Sequence, residues 1–363
     1  MGAAPADRFV EARACAGAAD VTIVLPVFEQ ERFVADALGS VLAQRGVVAE
    51  VVVSDDASTD GTWARVEEVA AAYDGPHGIV LRQGSARLRR DHTALLVERA
   101  SCDTVVIAHG DDLSVPDRAA TLRAVLDDSG AAVAGSRLRT IGTDDGPDVL
   151  AAPAPAPVAG AAWSRVDAVD LVSFRSEFTG AALALRRSKL APFPRLDAAR
   201  AACGHDWVLP FRGALAGGAV VVDEELVARR LHDRNWSKGI WDVRRPESVE
   251  FGQALFGLSV LGPMSADLEV AVAHGLVDPD EAARLRGAIE DARGTRTEAL
   301  VGAHDRLVRD GRSVLWVTDD EAALAAAGDL WARYAWAATA RDRLRRLRAQ
   351  ARDAQRRLRG QRR

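Results

Sequence analysis

Short apolar runs rich in valine and isoleucine alternate with amphipathic stretches over about the first 110 residues of the chain. The runs "VTIVLPVF", "AEVVVSD", "HGIVLRQ" and "DTVVIAHGDD" have the length and β-branched composition of buried strands. Between them, "ERFVADALGSVLAQRG", "STDGTWARVEEVAAAYDG" and "RDHTALLVERA" carry apolar residues at helical spacing. This alternation predicts an α/β protein with a doubly wound, mostly parallel sheet flanked by helices.

The second half of the chain predicts further strands in "FTGAALALRRSKL" and "GGAVVVDEELVARRL", with a helix beginning near "GHDWVLPFRGALAGG". From about Pro246 the strand pattern fades, apart from "RSVLWVTD", and helical patterns dominate. We therefore expect four parts along the chain. They are a loose N-terminal segment over 1–20, an α/β domain over 21–240, a mainly helical C-terminal region over 241–330 and an arginine-rich helix or tail over 331–363.

The composition is that of an ordinary globular protein, with 363 residues, 48% hydrophobic and 27% charged side chains, and a net charge of -5. This charge gives no reason to expect nucleic acid as a partner. The three cysteines match neither a disulfide framework nor a metal-binding spacing, so a reducing cytosol fits best. No apolar run reaches the roughly 18 to 20 residues of a membrane span. Charged residues also interrupt the alanine-rich N-terminus, so we expect neither a signal peptide nor an integral membrane protein.

The last segment departs from this charge balance. Residues 339–363 carry eleven arginines against two aspartates. Their leucines and alanines recur at steps of three and four residues, which is typical of a coiled-coil seam. A solvated helix or flexible end is the simplest interpretation. Contact with an anionic membrane surface and self-association are the alternatives, and each would add a partner.

Carboxylates follow two of the predicted strands at the point where each strand ends. Asp55 and Asp56 end the second strand, and Asp111 and Asp112 follow the fourth. The carboxyl ends of parallel strands share one edge of a sheet, so these groups repel one another unless a cation lies between them or their pKa values rise. Mg²⁺ or Mn²⁺ bound together with substrate phosphates would satisfy this edge. The alternatives are helix capping by residues 56–60 and a solvated turn at the second pair.

The stretch "IVLPVFEQERFVADALGSVLAQRGVVAEVVVSDDASTDGT" resembles the N-terminal block of family 2 glycosyltransferases with a GT-A fold. Spacing and order agree over about forty residues, and in that family the block binds the nucleotide. The resemblance implies that Pro26 and Phe28 border the base. It also implies that Asp55 accepts a hydrogen bond from the base and that Asp56 lies beside the ribose. Glu29 stands where the family more often has asparagine.

Two further segments are similar to the family's metal and phosphate motifs. "AHGDDLSVPDR" corresponds to the metal motif, with His109 at a position that is usually acidic. The resemblance implies that Mn²⁺ or Mg²⁺ binds at Asp111, which would also contact the nucleotide sugar, with Asp112 nearby. "RQGSARLRRDHTALL" lies where the family contacts the diphosphate, which implies this role for Arg90. A basic start of a surface helix is the alternative for that arginine.

The segment "CGHDWVLPFRGALAGGAVVVDEELVARRLHDRNWS" resembles the family's remaining motif. It implies that Asp206 is the general base, with His205 in place of the usual glutamate, and that His232 is a ligand of the metal or the diphosphate. Inverting transfer needs one group to take the acceptor proton and one cation to neutralise the departing diphosphate. The alternatives are a helix cap for Asp206 and a surface position for His232. Asn235 and Ser237 lie on the same predicted loop as His232. Trp207 and Trp236 flank these motifs and either stack on a sugar or pack in the core.

The resemblance covers about residues 20 to 240 and implies an inverting, metal-dependent glycosyltransferase that moves a sugar from a nucleotide diphosphate to a hydroxyl group. It also implies an acceptor for cell-surface polysaccharide or glycolipid, handled in the cytoplasm or at the inner membrane face. A nucleotidyltransferase is one alternative, although "LPVFEQER" lacks the glycine-rich phosphate loop that such an enzyme needs. A non-catalytic scaffold is the other, because His109 and His205 occupy positions that are usually acidic. The sugar, base and acceptor depend on loops such as the one from Asp144 to Trp163.

Overall fold

The computed structural model describes residues 7–88, 91–150, 160–176, 178–195, 205–232 and 246–309. These residues form one large sheet and the helices that cover it. The strands are β1 Val10–Arg13, β2 Val21–Val27, β3 Ala49–Asp55, β4 Gly78–Gln83, β5 Thr104–Ile107, β6 Leu113–Ser114, β7 Val133–Ile141, β8 Trp163–Val166, β9 Leu183–Arg186 and β10 Ala219–Arg230. The helices are α1 Val34–Leu42, α2 Thr62–Ala72, α3 Asp91–Arg99, α4 Arg118–Ser129, α5 Ala168–Val172, α6 Arg187–Leu190, α7 His205–Leu215, α8 Pro246–Ala273 and α9 Pro279–Arg309, with short 3-10 helices at Pro147–Leu150 and Gly180–Ala182.

The sheet is mixed, in the order β1-β4-β3-β2-β5-β9-β7-β10-β6, with β8 also paired to β10. The neighbours β4, β3, β2 and β5 are parallel, and β7 and β10 run in the same direction as they do. β9 lies antiparallel between β5 and β7, and β1, β6 and β8 are antiparallel to their partners. The predicted class, a mostly parallel sheet with flanking and C-terminal helices, is therefore confirmed. The antiparallel insertion of β9 was not apparent from the order of strands and helices.

The central strands are buried on both faces because nearly every position in them is apolar. Successive side chains of a strand point to opposite faces. In β2, Ile23 and Leu25 join a core layer with α1, α2 and α4. Val24 joins the opposite layer, which contains residues of α3, α5, α7, α8 and α9. The domain is therefore a sheet between two layers of helices.

The strand register brings the ends of the parallel strands to one edge. Val27 at the end of β2 pairs with Asp55 of β3, and Asp55 pairs with Gln83 of β4. On the other side of β2, Ile107 at the end of β5 pairs with Val24. Both acidic segments therefore leave the sheet at the same edge, next to the end of β2.

The predicted helices of the first half form with the expected buried faces. α1 buries Val34, Leu38 and Val41. The chain turns after it at Gly46, whose φ of 73° lies in the left-handed region that glycine adopts easily. α2 buries Val66 in the same core layer. Helical spacing in the sequence was sufficient to place these two helices.

The described part of the N-terminal segment, residues 7–20, contains an ordered strand, contrary to the expectation of a loose segment. β1 pairs antiparallel with β4 at the edge of the sheet. The Arg13 guanidinium donates hydrogen bonds to the main-chain carbonyls of Tyr73, Asp74 and Gly75. The side chains of β1 are mostly exposed, so an edge strand of this kind carries no apolar run for a sequence pattern to detect. The sequence pattern also does not predict α4, whose buried residues include Arg118 and spread around the helix.

The two long C-terminal helices belong to the core of the described region. Met264 of α8 and Leu285 and Ile289 of α9 lie in the core layer that α7 also joins. The stretch Glu250–Ala273 is long and apolar enough to cross a membrane, with a mean hydropathy of 1.4. The expectation that the chain has no such run is therefore wrong. Half of its most apolar window is buried inside the protein, which is typical of a helix that packs in the core of a folded domain.

Three expectations fall outside the described residues. These are the strand in "RSVLWVTD", the structure of the Pro- and Ala-rich residues 151–159, and the arginine-rich segment 331–363. The division of the chain into four parts likewise stays a prediction.

We expect the buried ion pair between α7 and α8 to be necessary for the docking of the C-terminal helices. Arg212 donates to both carboxylate oxygens of Asp267, at 2.6 and 3.0 Å, and the two side chains are only 5% and 3% exposed. Asp267→Ala removes this partner from a buried cation, so the free energy of unfolding in urea should fall by about 3 to 5 kcal/mol. The double variant Arg212→Met with Asp267→Leu should recover most of that loss.

The control is the exposed ion pair between Glu269 of α8 and Arg286 of α9. Glu269→Ala should leave the urea midpoint nearly unchanged, because exposed ion pairs contribute little. Equal midpoints for Asp267→Ala and Glu269→Ala would contradict a structural role for the buried pair.

Candidate active site

The loop after β3 is joined to the loop after β2 by side-chain hydrogen bonds. The Glu29 carboxylate accepts hydrogen bonds from the N–H and the hydroxyl of Thr59, at 2.7 and 2.9 Å. The Glu29 N–H donates to the Ser58 hydroxyl at 2.9 Å. Glu29 and Ala57 both have positive φ, 51° and 62°, a conformation that is uncommon for these residue types and that the surrounding contacts hold in place. The glutamate at position 29 therefore connects the two loops.

Asp55 and Asp56 are buried beneath these loops, with 0% and 2% exposure. The N–H and the hydroxyl of Ser58 both donate to the Asp55 carboxylate. Burial raises the pKa of Asp55, although the hydrogen bonds from Ser58 act in the opposite direction. The Asp56 carboxylate accepts a hydrogen bond from the Leu88 N–H at 2.6 Å and lies 3.8 Å from Arg87 Nε. Both aspartates therefore help to fix the loops that surround them.

The capping alternative for this segment holds only in part. The residue before α2 is Gly61, which makes no side-chain cap. Asp60 accepts a hydrogen bond from the Thr62 N–H at 3.0 Å and stabilises the first turn. Asp56 and Ser58 bind the neighbouring loops instead of the helix.

A cleft of about 630 Å³ opens above these loops. On one wall the Arg87 guanidinium covers the Phe28 ring, with Cζ 3.5 Å from the ring centroid, which is the geometry of a cation–π contact. Pro26 and the two buried aspartates are not among the described residues that line the cleft. The lining consists of Phe28, Glu29, Gln30, Ala57, Thr59, Arg87, Asp111 and His232.

A glycine allows the loop after β5 to approach the end of β2. A Cβ atom at Gly110 would collide with the side chains of Gln30 and Val27, so the close approach requires glycine. This contact brings the second acidic pair of the sequence beside the loop that begins with Phe28. The two acidic segments are therefore packed together through β2.

Asp111 and Asp112 each have a partner near the end of β10. His232 Nε2 lies 3.0 Å from Asp111 Oδ2, and the His232 ring packs on Phe33 with centroids 4.6 Å apart. The Arg230 N–H donates to Asp112 Oδ1 at 2.9 Å. The metal-binding motif and the histidine predicted from the distant third motif are therefore in direct contact.

His109, Asp111 and Asp112 form a group of potential metal ligands. One ligand atom from each lies within 4.8 Å of the others. One imidazole nitrogen and two carboxylate oxygens are donors that a divalent cation accepts. His232, which we predicted as a ligand, is not a member of this group and contacts Asp111 instead. His109 enters the group at the position that the sequence marked as a departure.

The two adjacent carboxylates differ in their proton affinity. Burial raises the pKa of Asp112 to about 7, and the charge of Asp111 adds to this rise. Burial would also raise the pKa of Asp111, but the hydrogen bond from His232 and the charge of His109 lower it on balance. Burial lowers the pKa of His109, which favours the neutral imidazole. A proton on Asp112 therefore reduces the repulsion between the charges of Asp111 and Asp112 near neutral pH.

Asp206 lies in the first turn of α7, close to this group. His205 Nε2 is 3.1 Å from Asp206 Oδ1, although the two atoms are not aligned for a hydrogen bond. The rings of His205 and His109 meet edge to face, with centroids 6.1 Å apart. Gly180 makes room for the pair, since a Cβ atom there would collide with the Asp206 carboxylate and the His205 ring. The predicted base and the possible metal ligands therefore share one edge of the sheet.

A family model for glycosyl transferase family 2 matches residues 22–168. This range contains β2, both acidic strand ends and the loop that carries His109. The match covers less than half of the 363 residues. The resemblance read from the motifs is thereby confirmed for this part of the chain, and Asp206 and His232 lie beyond the match.

The chain is also similar to a curated protein, "Putative glycosyltransferase EpsE" from Bacillus subtilis (strain 168). It is 32% identical over 98 residues, which are 27% of this chain and 35% of the relative. The match therefore spans about a third of that relative's length.

Two solved structures are similar to this protein in backbone fold, at low sequence identity. The S. aureus TarS fragment 1-349 in complex with UDP-GlcNAc is 14% identical, covering 81% of this chain and 93% of that chain with a TM-score of 0.47. The mannosyltransferase PcManGT from Pyrobaculum calidifontis, in complex with GDP-Man and Mn²⁺, is 19% identical, covering 85% and 86% with a TM-score of 0.49.

Two buried arginines organise the site next to the family 2 motifs, and the sequence analysis did not select either. The Arg118 guanidinium donates to the carbonyls of Ile107 and Ala181, and burial lowers its pKa to about 10. Arg230 donates to the Asp111 carbonyl at 3.2 Å and to carbonyls of the loop after β7. Most arginines lie on the surface, so the sequence pattern provided no reason to select these two. Their near-complete burial in the structure distinguishes them.

Some of the remaining predicted residues lie outside the described residues. Trp207 packs on Phe174, with ring centroids 4.9 Å apart, which agrees with the packing alternative for this tryptophan. The predictions for Arg90, Asn235, Trp236 and Ser237 fall outside the described residues.

His92 contacts the end of β3, next to the first acidic pair. The ring lies on α3 and is 4% exposed. Its Nε2 is 2.8 Å from the Ser54 hydroxyl. Burial lowers the pKa of His92 to about 4, and the charges of Arg82 and Arg87 act in the same direction while Asp56 opposes them. The neutral ring is therefore part of the folded structure.

We expect His92 to make folding less favourable in acid. Its pKa is near 6.5 in the unfolded chain and about 4 in the folded one. The unfolded state therefore binds more protons between these values, and stability is lost as the pH falls from 6.5 to 4. The stability advantage of wild type over His92→Gln should shrink by roughly 3 kcal/mol between pH 7 and pH 4. Urea unfolding at several pH values measures it, and His274→Gln, at an exposed histidine, should follow wild type.

Proposed function

We propose that the protein is an inverting, metal-dependent glycosyltransferase that moves a sugar from a nucleotide-diphosphate donor to a hydroxyl acceptor. One observation carries this proposal. The group of potential metal ligands, His109, Asp111 and Asp112, lies beside the first turn of α7, where Asp206 stands next to His205. A cation on one side of a reacting sugar and a carboxylate on the other are the two groups that such a transfer needs.

The cleft supports the donor assignment. Its volume of about 630 Å³ is of the size that holds a small-molecule ligand. Phe28 offers a flat apolar surface for a base, and Arg87 adds a positive charge beside it. We keep Asp55 and Asp56, beneath this wall, as the proposed partners of the base and ribose. Arg90 stays the proposed contact of the diphosphate.

The donor atoms present fit a divalent cation such as Mn²⁺ or Mg²⁺. Asp111 and Asp112 would hold it, with His109 as the third group within reach. When bound, such a cation neutralises the charge that develops on the departing diphosphate. His232, 3.0 Å from Asp111, would keep that carboxylate oriented toward the cation or contact the diphosphate itself.

Asp206 is the proposed general base. Its carboxylate takes the proton of the acceptor hydroxyl while the hydroxyl oxygen forms a bond to the anomeric carbon of the sugar. The bond from that carbon to the diphosphate oxygen breaks on the opposite face, so the configuration inverts. His205 at 3.1 Å and the absence of a side chain at Gly180 restrict the positions that the carboxylate can take.

We further propose a cytoplasmic enzyme with a cell-surface polysaccharide or glycolipid acceptor, as the resemblance implies. The eleven arginines in residues 339–363 would contact the anionic inner face of the membrane, where each adds about 1 kcal/mol of attraction. Self-association through the leucine and alanine seam is the competing role for this segment.

We expect Asp206→Asn to lower glycosyl transfer or donor hydrolysis by about 10²- to 10⁴-fold, because the amide cannot accept the proton. Donor binding should change little, since Asp206 is not among the residues that line the cleft. The assay measures nucleoside diphosphate release from a panel that includes UDP-GlcNAc and GDP-Man, with and without EDTA. Thermal shift with each donor measures binding.

Asp223→Asn, at an exposed aspartate of β10 that pairs with Arg137, is the control and should keep wild-type rates. A rate within tenfold of wild type for Asp206→Asn would remove Asp206 from the base position. Release of pyrophosphate from a nucleoside triphosphate would indicate the nucleotidyltransferase. Donor binding without turnover of any donor, by a correctly folded wild type, would indicate the scaffold.

The membrane proposal predicts that the full chain sediments with vesicles containing anionic lipid and that a chain ending at residue 338 does not. Neutral vesicles should pellet neither form, because the attraction is electrostatic, and salt should release the full chain. Equal sedimentation of both forms with anionic vesicles would exclude this role, and a lower oligomer mass of the shortened chain would support self-association.

A further inference from the structure

We propose that His109 is a direct nitrogen ligand of the cation at the family 2 site and that the site therefore prefers transition-metal dications, such as Mn²⁺ and Co²⁺, over Mg²⁺. The inference rests on the proposed function, because it assigns the metal class of the same site. It concerns a position that is usually acidic, where this chain has an imidazole.

The distances fit ligands that share one ion. His109 Nδ1 lies 3.9 Å from Asp112 Oδ2, which is too long for a hydrogen bond. Two ligands bound at about 2.1 Å each are roughly 3 to 4 Å apart, depending on the angle between them. The third group, Asp111, has a carboxylate oxygen within 4.8 Å of both of the others.

Packing holds His109 in this position. Gly110 allows the loop to approach β2 closely, and the edge of the His205 ring lies against the His109 ring at 6.1 Å. The His109 side chain is still 30% exposed, so an ion can reach it from solvent. An imidazole fixed in this way can bind an ion with little loss of side-chain entropy.

The other histidine of the site is a poorer candidate for a ligand. His232 Nε2 lies 3.0 Å from Asp111 Oδ2, and an ionised carboxylate only accepts hydrogen bonds. That nitrogen is directed at the Asp111 carboxylate, and His232 is not a member of the group of potential ligands. Its ring also packs on Phe33. This arrangement is the carboxylate–histidine contact that orients a metal ligand from outside the first shell.

The donor set decides the metal class. Mg²⁺ is bound almost entirely through oxygen and loses its water reluctantly. Imidazole nitrogen is a good ligand for later first-row dications, whose affinity rises from Mn²⁺ to Co²⁺ and beyond. A site with one nitrogen and two carboxylates should therefore discriminate against Mg²⁺ more strongly than a site with three carboxylates.

Pulsed electron paramagnetic resonance on the full chain with Mn²⁺ alone tests the ligand directly. The wild type should show ¹⁴N modulation from a coordinated imidazole, and His109→Asp should lose it. His232→Gln is the matched control and should keep it. Loss of the modulation in His232→Gln but not in His109→Asp would assign the nitrogen to His232 and overturn the proposal, as would wild type that binds no Mn²⁺.

Competition titrations test the selectivity. Mg²⁺ should displace Mn²⁺ from wild type only at high excess. His109→Asp should lower the ratio of the Mg²⁺ to the Mn²⁺ dissociation constant by roughly tenfold or more. An unchanged ratio would overturn the selectivity. Both readouts need no sugar donor, so they can succeed where the transferase assay fails. Thermal unfolding of each variant confirms that it is folded.

Discussion

Because β2, β3 and β5 run parallel, the carboxylates that follow β3 and β5 meet at one edge of the sheet and repel one another. The fold reduces this repulsion with a separate partner for each group. Asp55 receives hydrogen bonds from Ser58, and Asp111 contacts His232. Asp112 accepts a hydrogen bond from the main-chain N–H of Arg230, and burial raises its pKa to about 7. The remaining negative charge is concentrated where a cation is proposed.

Buried cations behind the edge hold the two halves of the site together. Arg118 reaches from α4 to the carbonyl of Ile107 at the end of β5 and to that of Ala181 beside Gly180. It thereby connects the strand that leads to the loop of His109, Asp111 and Asp112 with the segment against which Asp206 packs. Burial lowers the pKa of Arg118 to about 10, and the charge of Asp112 opposes this. The guanidinium therefore stays charged near neutral pH and supports the acidic edge from inside.

Much of the first half of the fold could be predicted from the sequence, because apolar runs and helical spacing are local signals. The limits of β3 agree with the predicted "AEVVVSD", and α1 and α2 follow the expected periodicity. β1 was missed because it is an exposed edge strand, and the antiparallel place of β9 depends on pairing between distant residues. The same reason applies to the site. Motifs selected Asp111 and His232 separately, but their 3.0 Å contact depends on the pairing of β6, which follows Asp112, with β10.

The two histidines at usually acidic positions lie next to each other in space, with ring centroids 6.1 Å apart. Two further carboxylates there would add like charges to an edge that already holds Asp111, Asp112 and Asp206. Burial lowers the pKa of His109, which favours the neutral imidazole. The two histidines therefore belong to one electrostatic environment and do not add to its negative charge.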